Sequence, residues 1–340
     1  MKVKISQIAR EAGVSTATVD RVINGRNGVR SQTRNHVLSV AERLGYRLIN
    51  HSESIVPVAL DFVLPGGPNT YLNLLADAVE QQSDLPLAVR VRVHRIQGFN
   101  PTALSETLQT LRHESQGVGL VALDHPKVRE AVRDLAAAGI PILTMVSDIS
   151  NVPRIGYVGI DNRGAGRLAG HLLGRFIRGK RHKIALFAGS LSYRGHEERE
   201  MGFRNILAED FAGLLIVQLR ENLDDFERSY AEAKSLLDAH PDLAGIYNIG
   251  AGNRGIARAL EESGRAGEVV FIGHELTEHT RRFLLSGVMD AVIDQSPRLE
   301  AREATHALAE AARGRTVDRA ALAIGMQVIF RENIPPREGR

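Results

Sequence analysis

The chain has 340 residues, 43% hydrophobic and 24% charged, with a formal net charge of +3 and no cysteine. That length exceeds one compact domain and fits two or three, with apolar mass enough for real cores. The absent thiols exclude a disulfide scaffold, a thiolate metal site and a cysteine nucleophile. The start, MKVKISQIAREAG, has no apolar h-region of a secretory signal, and no run of the ~18 apolar residues that a membrane span needs occurs, so a cytoplasmic protein without membrane contact is expected.

The charge is unevenly placed. Residues 1–50 hold nine basic and three acidic side chains, a net +6, which leaves −3 for the rest. A basic head before a mildly acidic body points to a nucleic-acid partner for the head, against the plainer reading of a solvated charged surface. Within the head, Ser6 reads as the cap of a first helix with Ile8, Ala9 and Ala12 inward and Gly13 as its stop. Ser15 caps a second helix over 16–24, whose stripe is Val19, Val22 and Ile23, and Gly25 ends it. Ser31 opens a third, with Val37, Leu38, Ala41 and Leu44 inward and Gly45 at its end. Two short helices joined by a glycine-containing turn and braced by a third predict a helix-turn-helix, the second helix entering the major groove.

The run Ile8-Ala9-x-x-Ala12-Gly13-Val14-Ser15-x-x-Thr18-Val19-x-Arg21-Val22-x-Asn24, continued by Val29, Thr33 and Leu44-Gly45-Tyr46, resembles the DNA-binding head of the LacI/GalR family of bacterial repressors. The resemblance implies base reading by Thr16, Ala17 and Arg21, and phosphate contacts from Ser15, Thr18, Asn24, Ser31 and Thr33. Arg21 then faces guanine, or in the plainer reading attracts phosphate alone. Two features depart from the family pattern. Asp20 stands where the family usually has serine; it either accepts from a cytosine amino group or pairs with Arg21 or Arg26. The linker, 47–54, is shorter than the family's hinge segment, so minor-groove wedging and the usual effector-to-DNA coupling are in doubt.

From residue 55 onward, apolar runs at 58–64, 89–93, 118–123, 140–146, 184–187, 215–219, 245–249 and 269–272 alternate with amphipathic segments. Those helix-like segments are 72–82, 103–114, 128–138, 163–178, 198–209, 226–239, 256–263 and 278–286. Strands of this kind, buried on both faces, predict parallel sheets covered by helices, with ligands at the strands' carboxyl ends. The body is similar to the type I periplasmic-binding-protein fold behind LacI-type heads, in the ribose-binding style. The expected fold is a small all-α head (1–50), a short linker (51–55) and a two-lobed α/β effector and dimerisation body with parallel sheets (56–340). Lobe 1 is placed at about 56–155 plus 289–318, and lobe 2 at about 156–288 plus 319–334, with a last strand at 326–330.

The resemblance also implies a ligand set between the lobes. Pro68-Asn69-Thr70-Tyr71 stands for the family's Asn-Pro-Phe-Phe, Asn69 bonding a hydroxyl and Tyr71 stacking on a ring. Asp148 falls near the family's ligand carboxylate, and Arg199-x-x-Gly202-Phe203 carries its arginine. Glu275 replaces the aspartate of Gly-Phe-Asp, and Gln295 sits in the crossing motif Asp294-Gln295-x-Pro297. Asn248 or Asn253 substitutes for an aspartate lost at Gly250. Each has a plainer alternative: Asn69 as a turn residue, Tyr71 as core, Arg199 in a helix ion pair, Asp148 as a loop cap.

A rival signal is Gly250-Ala251-Gly252-Asn253-Arg254-Gly255, a dinucleotide fingerprint after a strand and before a helix, with Glu275 25 residues beyond Gly250. Its late position and its coincidence with the family's ligand loop argue against an NAD-binding oxidoreductase. The bare loop can also offer N–H groups to a phosphorylated sugar. No catalytic or metal-ligand spacing survives: His196-Glu197-Glu198 lacks a second histidine, and neither a Gly-x-Ser-x-Gly elbow nor a phosphate loop is present. The expected protein is a homodimeric repressor without cofactor, metal or catalysis. It binds double-stranded operator DNA and answers to a small effector, a sugar, polyol or sugar phosphate. A sugar-binding protein without DNA function is the alternative.

Overall fold

The computed structural model describes residues 5–23, 29, 33, 36–37, 39–41, 44, 57–84, 88–177 and 182–336. The chain divides into two compact units, Met1–Val56 and Pro57–Arg340. In the first, α1 (Ile5–Glu11) and α2 (Thr16–Ile23) are joined by a turn in which Gly13 has a φ of +64°. An added Cβ at Gly13 meets open space, so the position needs glycine for its left-handed backbone rather than for room. Ser15 caps α2 as expected, its Oγ accepting from Thr18 N at 3.1 Å. Ser6 lies inside α1 rather than before it. The described residues between 33 and 41 are helical, and Val37, Val40 and Ala41 close a core with Ile8, Ala9, Ala12, Val19 and Val22. The linker 51–55 lies outside the described residues.

The second unit holds two sheets. One, ordered β2-β1-β3-β4-β5, is parallel throughout: β1 (Val58–Gly66), β2 (Val89–Gln97), β3 (Gly117–Leu120), β4 (Ile142–Met145) and β5 (Gly156–Val158). The other is ordered β11-β10-β9-β8-β6-β7 and comprises β6 (His182–Ala188), β7 (Leu214–Glu221), β8 (Leu243–Asn248), β9 (Val270–His274), β10 (Ala291–Asp294) and β11 (Gln327–Ile329). Its strands are parallel except β11, which runs antiparallel to β10. The central strands are buried on both faces, as in β1, where Leu60, Phe62, Val63 and Leu64 are fully buried.

Between strands run α3 (Thr70–Glu80), α4 (Pro101–Thr110), α5 (Pro126–Ala137), α6 (Asn162–Phe176), α7 (Arg194–Asp210), α8 (Phe226–Ala239), α9 (Asn253–Glu262), α10 (Glu278–Ser286) and α11 (Pro297–Ala312). Side-chain caps such as Asn69 on α3, Asp161 on α6 and Asp225 on α8 start these helices just after a strand's carboxyl end, which turns their N-termini toward one rim. The strand order moves the expected lobe boundaries. Residues 156–158 pair with β4 and so belong to lobe 1, whereas 291–294 pair with β9 and so belong to lobe 2. The segment 319–322 packs on β5, and the chain returns to lobe 2 only after Gly159 bridges Ala323. None of the helices among the described residues is long and apolar enough to cross a membrane.

Candidate functional site

On the head, the face of α2 opposite Val19 and Val22 is open. Ser15, Thr16, Ala17 and Arg21 are exposed, Thr18 is half-buried with its hydroxyl 2.9 Å from Ser15 Oγ, and Thr33 is half-buried. The helical period therefore brings the three expected base-reading side chains to one surface. Asn24 and Ser31 lie outside the described residues.

In the body, the strand ends of lobe 1 face those of lobe 2 across a cleft that encloses a cavity of about 120 Å³. Of the residues that the resemblance implies for the ligand, Asn69, Tyr71, Arg199, Glu275 and Gln295 line it. Two expected residues do not. Val146 takes a left-handed φ of +60°, and Asp148 is directed instead to the Thr144 hydroxyl at 2.6 Å and an ion pair with Arg154. Asn248 is fully buried, its Nδ2 donating to Asn253 Oδ1 at 2.7 Å and Ala251 O at 3.1 Å, so it shapes the loop rather than the cavity.

Arg199 is 4% exposed, which rules out the surface ion pair as its role. Its Nε donates to Asn162 Oδ1 at 2.7 Å and its Nη1 to Ile249 O at 2.9 Å. No carboxylate among the described residues makes a salt bridge with it, so the guanidinium is held by neutral acceptors at the cavity wall. Asn162 in turn donates to the Tyr157 hydroxyl at 2.9 Å and to Val146 O at 3.3 Å, which ties the arginine to the segment where the chain changes lobe. Asn69 Oδ1 caps α3, in line with its plainer reading as a turn residue, and its Nδ2 is engaged by Asp224 Oδ2 across the cleft at 2.8 Å. The Tyr71 hydroxyl donates to Glu300 Oε2 at 2.7 Å.

Asp224 and Glu300 escape a sequence reading. Asp224 follows β7 in a turn where it and Leu223 both have positive φ, and its Oδ1 also accepts from Ala251 N at 3.0 Å. An Asp-Asp pair after a strand reads as an ordinary helix start, and only Asp225 is the cap. The site is dry enough to shift its acids and bases. Burial raises the Glu275 carboxyl well above its usual range, pushes Glu300 up to about 8 and raises Asp224. Burial likewise holds His196 neutral, its pKa lowered to about 3, with the Arg199 charge acting in the same direction; His274 is also held well below the usual histidine range, by burial first and then by the Arg199 charge. At the floor, Gln295 Nε2 donates to Glu275 Oε1, while Glu275 Oε2, Gln295 Oε1 and His274 Nδ1 are buried without a partner. Such atoms call for a ligand's polar groups.

The glycines at 250–255 have local reasons. Gly252 has a φ of +101° before α9, and an added Cβ at Gly255 would overlap Phe226 O, where α8 and α9 touch backbone to backbone. The second fingerprint glycine serves a turn and the third a helix–helix contact.

Residues 58–316 match the periplasmic binding protein domain family, and residues 4–48 match the lacI family of bacterial regulatory proteins. The chain is 27% identical over 348 residues to the HTH-type transcriptional regulator CelR of Thermobifida fusca, covering 97% of each. It is 27% identical to the HTH-type transcriptional regulator DegA of Bacillus subtilis over 72% of both chains. A shorter match, 31% identical over 143 residues, covers 41% of this chain and 43% of the D-ribose/D-allose-binding protein of Pseudomonas aeruginosa. Among solved structures, GanP, a glucose-galactose binding protein from Geobacillus stearothermophilus, superposes with a TM-score of 0.75 at 23% identity, over 82% of this chain and 99% of that one. A helix-turn-helix with an open recognition face and a cleft at converging strand ends thus stand in one chain that matches a transcriptional regulator over 97% of both, and this chain belongs to the lacI family of bacterial regulatory proteins, with a periplasmic-binding-protein domain as its body.

Proposed function

We propose that this protein is a cytoplasmic, homodimeric repressor whose two heads read adjacent operator half-sites and whose cleft binds a sugar or polyol effector. The cavity carries the effector reading. A buried guanidinium held by neutral groups, with three unpartnered polar atoms beside it, matches the alternating donors and acceptors of hydroxyl groups. The matched sugar-binding relative supports the same class. Dimerism follows from recognition geometry, since one head of this size makes too few base contacts for useful specificity. The effector acts by binding one arrangement of the lobes more tightly than the other, and it shifts the equilibrium by that difference alone.

The test has two arms. Operator sequences are selected from random duplexes with the full chain, and Arg21→Ala is then compared on selected and random DNA. Loss of one bidentate guanine contact, about 1–3 kcal/mol, lowers selectivity roughly tenfold or more; equal loss on both DNAs would reduce Arg21 to a phosphate contact. In the second arm Arg199→Ala keeps operator affinity but no longer releases operator on effector addition. Unchanged induction would remove Arg199 from the site.

A further inference from the structure

The two walls of the cavity differ in kind. On lobe 1, Pro68, Leu72, Val121 and Val146 present hydrocarbon. The polar side chains on that wall are already engaged: Asn69 with Leu72 N and Asp224, Tyr71 with Glu300, and Ser147 Oγ with Gly195 N at 3.2 Å, leaving the half-buried Thr70 hydroxyl. Among the described residues that line the cavity, those with unpartnered buried atoms, Glu275 Oε2, Gln295 Oε1 and His274 Nδ1, all stand at the ends of β9 and β10 on lobe 2. Val146 adds an independent observation. A β-branched residue at φ +60° is strained, and such strain persists only where its surroundings over-determine it. Here the Tyr157 hydroxyl and Asn162 Nδ2 both donate to its carbonyl, and that turn leaves a valine on the cavity wall while Asp148 is engaged elsewhere.

We propose that the effector is a deoxygenated sugar, which places its hydroxyl-bearing edge against Arg199, His274, Glu275 and Gln295 and its hydrocarbon side against Leu72, Val121 and Val146. This rests on the sugar reading above and narrows it. A fully hydroxylated ring leaves at least one hydroxyl against aliphatic carbon with no acceptor, and burying it so is unfavourable. The missing hydroxyl removes that penalty, whereas the lobe 2 groups lose nothing.

The experiment uses the full chain and matched pairs that differ by one hydroxyl: L-fucose with L-galactose, L-rhamnose with L-mannose, and 2-deoxy-D-ribose with D-ribose. Binding is read by calorimetry and by the shift in melting temperature. The expected result is at least one pair in which the deoxy member binds about tenfold tighter or more. In that pair Val121→Thr, which puts a hydroxyl on the hydrocarbon wall at nearly constant volume, narrows the preference, while operator binding by the variant reports that it is folded. A hydroxylated member that binds as tightly as its partner, or tighter, overturns the proposal and leaves the sugar reading standing. Failure of all six to bind overturns both.

Discussion

Glu300 shows how a single buried carboxyl sets a property of the whole body. It is fully buried on α11, accepts from the Tyr71 hydroxyl through Oε2, and has no partner for Oε1 among the described residues. Burial lifts its pKa to about 8, against the opposing pull of the Tyr71 bond and the Arg199 charge. In the unfolded chain the same group titrates near ~4.3. Between those values the folded protein keeps a proton that the unfolded chain has lost, so stability falls as pH rises, by up to about 1.4 kcal/mol per unit from this group. Glu300→Gln keeps an acceptor for Tyr71 and removes the titration. Urea unfolding at pH 5, 6, 7 and 8 is expected to show a shallower loss of stability in the variant. Some slope persists, because Glu275 is raised in the same direction; identical slopes in the two proteins would show that Glu300 is ionised in the fold. Glu300 lies in the first turn of α11, a helix that the sequence reading leaves unassigned. Its partner Tyr71 is 229 positions away, and no local pattern reports such a pair.

At the scale of elements, the helices from α3 to α10 were legible to within a few residues, whereas α11 went unassigned and the reason for one helix pair was not readable. The stripe Gly166, Gly170 and Gly174 on α6 faces α7, and an added Cβ at each would overlap, in turn, Arg199 O, Ile206 Cγ2 and the Phe211 ring. Gly202 returns the contact against Arg163 O. Backbones packed this closely fix the height of Arg199 on α7 and hence its reach into the cleft. Period-counting reads glycine in a helix as a weakness, worth about 1 kcal/mol against alanine, because the partner helix is invisible to it. Gly166→Ala is therefore a contest of two terms. The helix gains about 1 kcal/mol, and the overlap with a backbone carbonyl, which cannot rotate aside, costs about 3. A net destabilisation of about 2 kcal/mol in urea unfolding is expected, together with weakened effector response. A variant as stable as the parent would mean that α6 and α7 slide apart freely. Strand β5 was missed for a different reason: at three residues it carries no period, and only its pairing with β4 defines it.

For the whole molecule, the question is what holds the lobes together around the cavity. Besides the crossing segments, the contacts that span the cleft among the described residues include these. Asn69 Nδ2 donates to Asp224 at 2.8 Å, Asp124 N to Ser192 O at 3.2 Å and Gly195 N to Ser147 Oγ at 3.2 Å, while the Phe99 and Tyr193 rings meet edge to face at 5.3 Å. Parallel sheets were readable from strand alternation and the two lobes from the family resemblance, but a latch between positions 69 and 224 was not, since the turn after β7 owes its direction to two left-handed residues of ordinary type. The latch can be reversed without disturbing the helix it begins. Asn69→Asp retains the oxygen that caps α3 and places a second carboxylate against Asp224. Two carboxylates in hydrogen-bonding contact cannot both ionise cheaply, so at pH 8 the closed arrangement loses at least about 1.4 kcal/mol, a tenfold fall in its ratio to the open one. Near pH 5 the pair shares one proton, the hydrogen bond re-forms and closure recovers. The chain has no cysteine of its own, so Gln109→Cys on α4 and Ser235→Cys on α8, both exposed, accept spin labels without competing sites. In the labelled parent the distance distribution is expected to be the same at both pH values. In the Asn69→Asp protein a longer distance grows at pH 8 and recedes at pH 5, and effector affinity falls with it. A distribution at pH 8 that matches the parent would show that the other contacts hold the lobes without the latch.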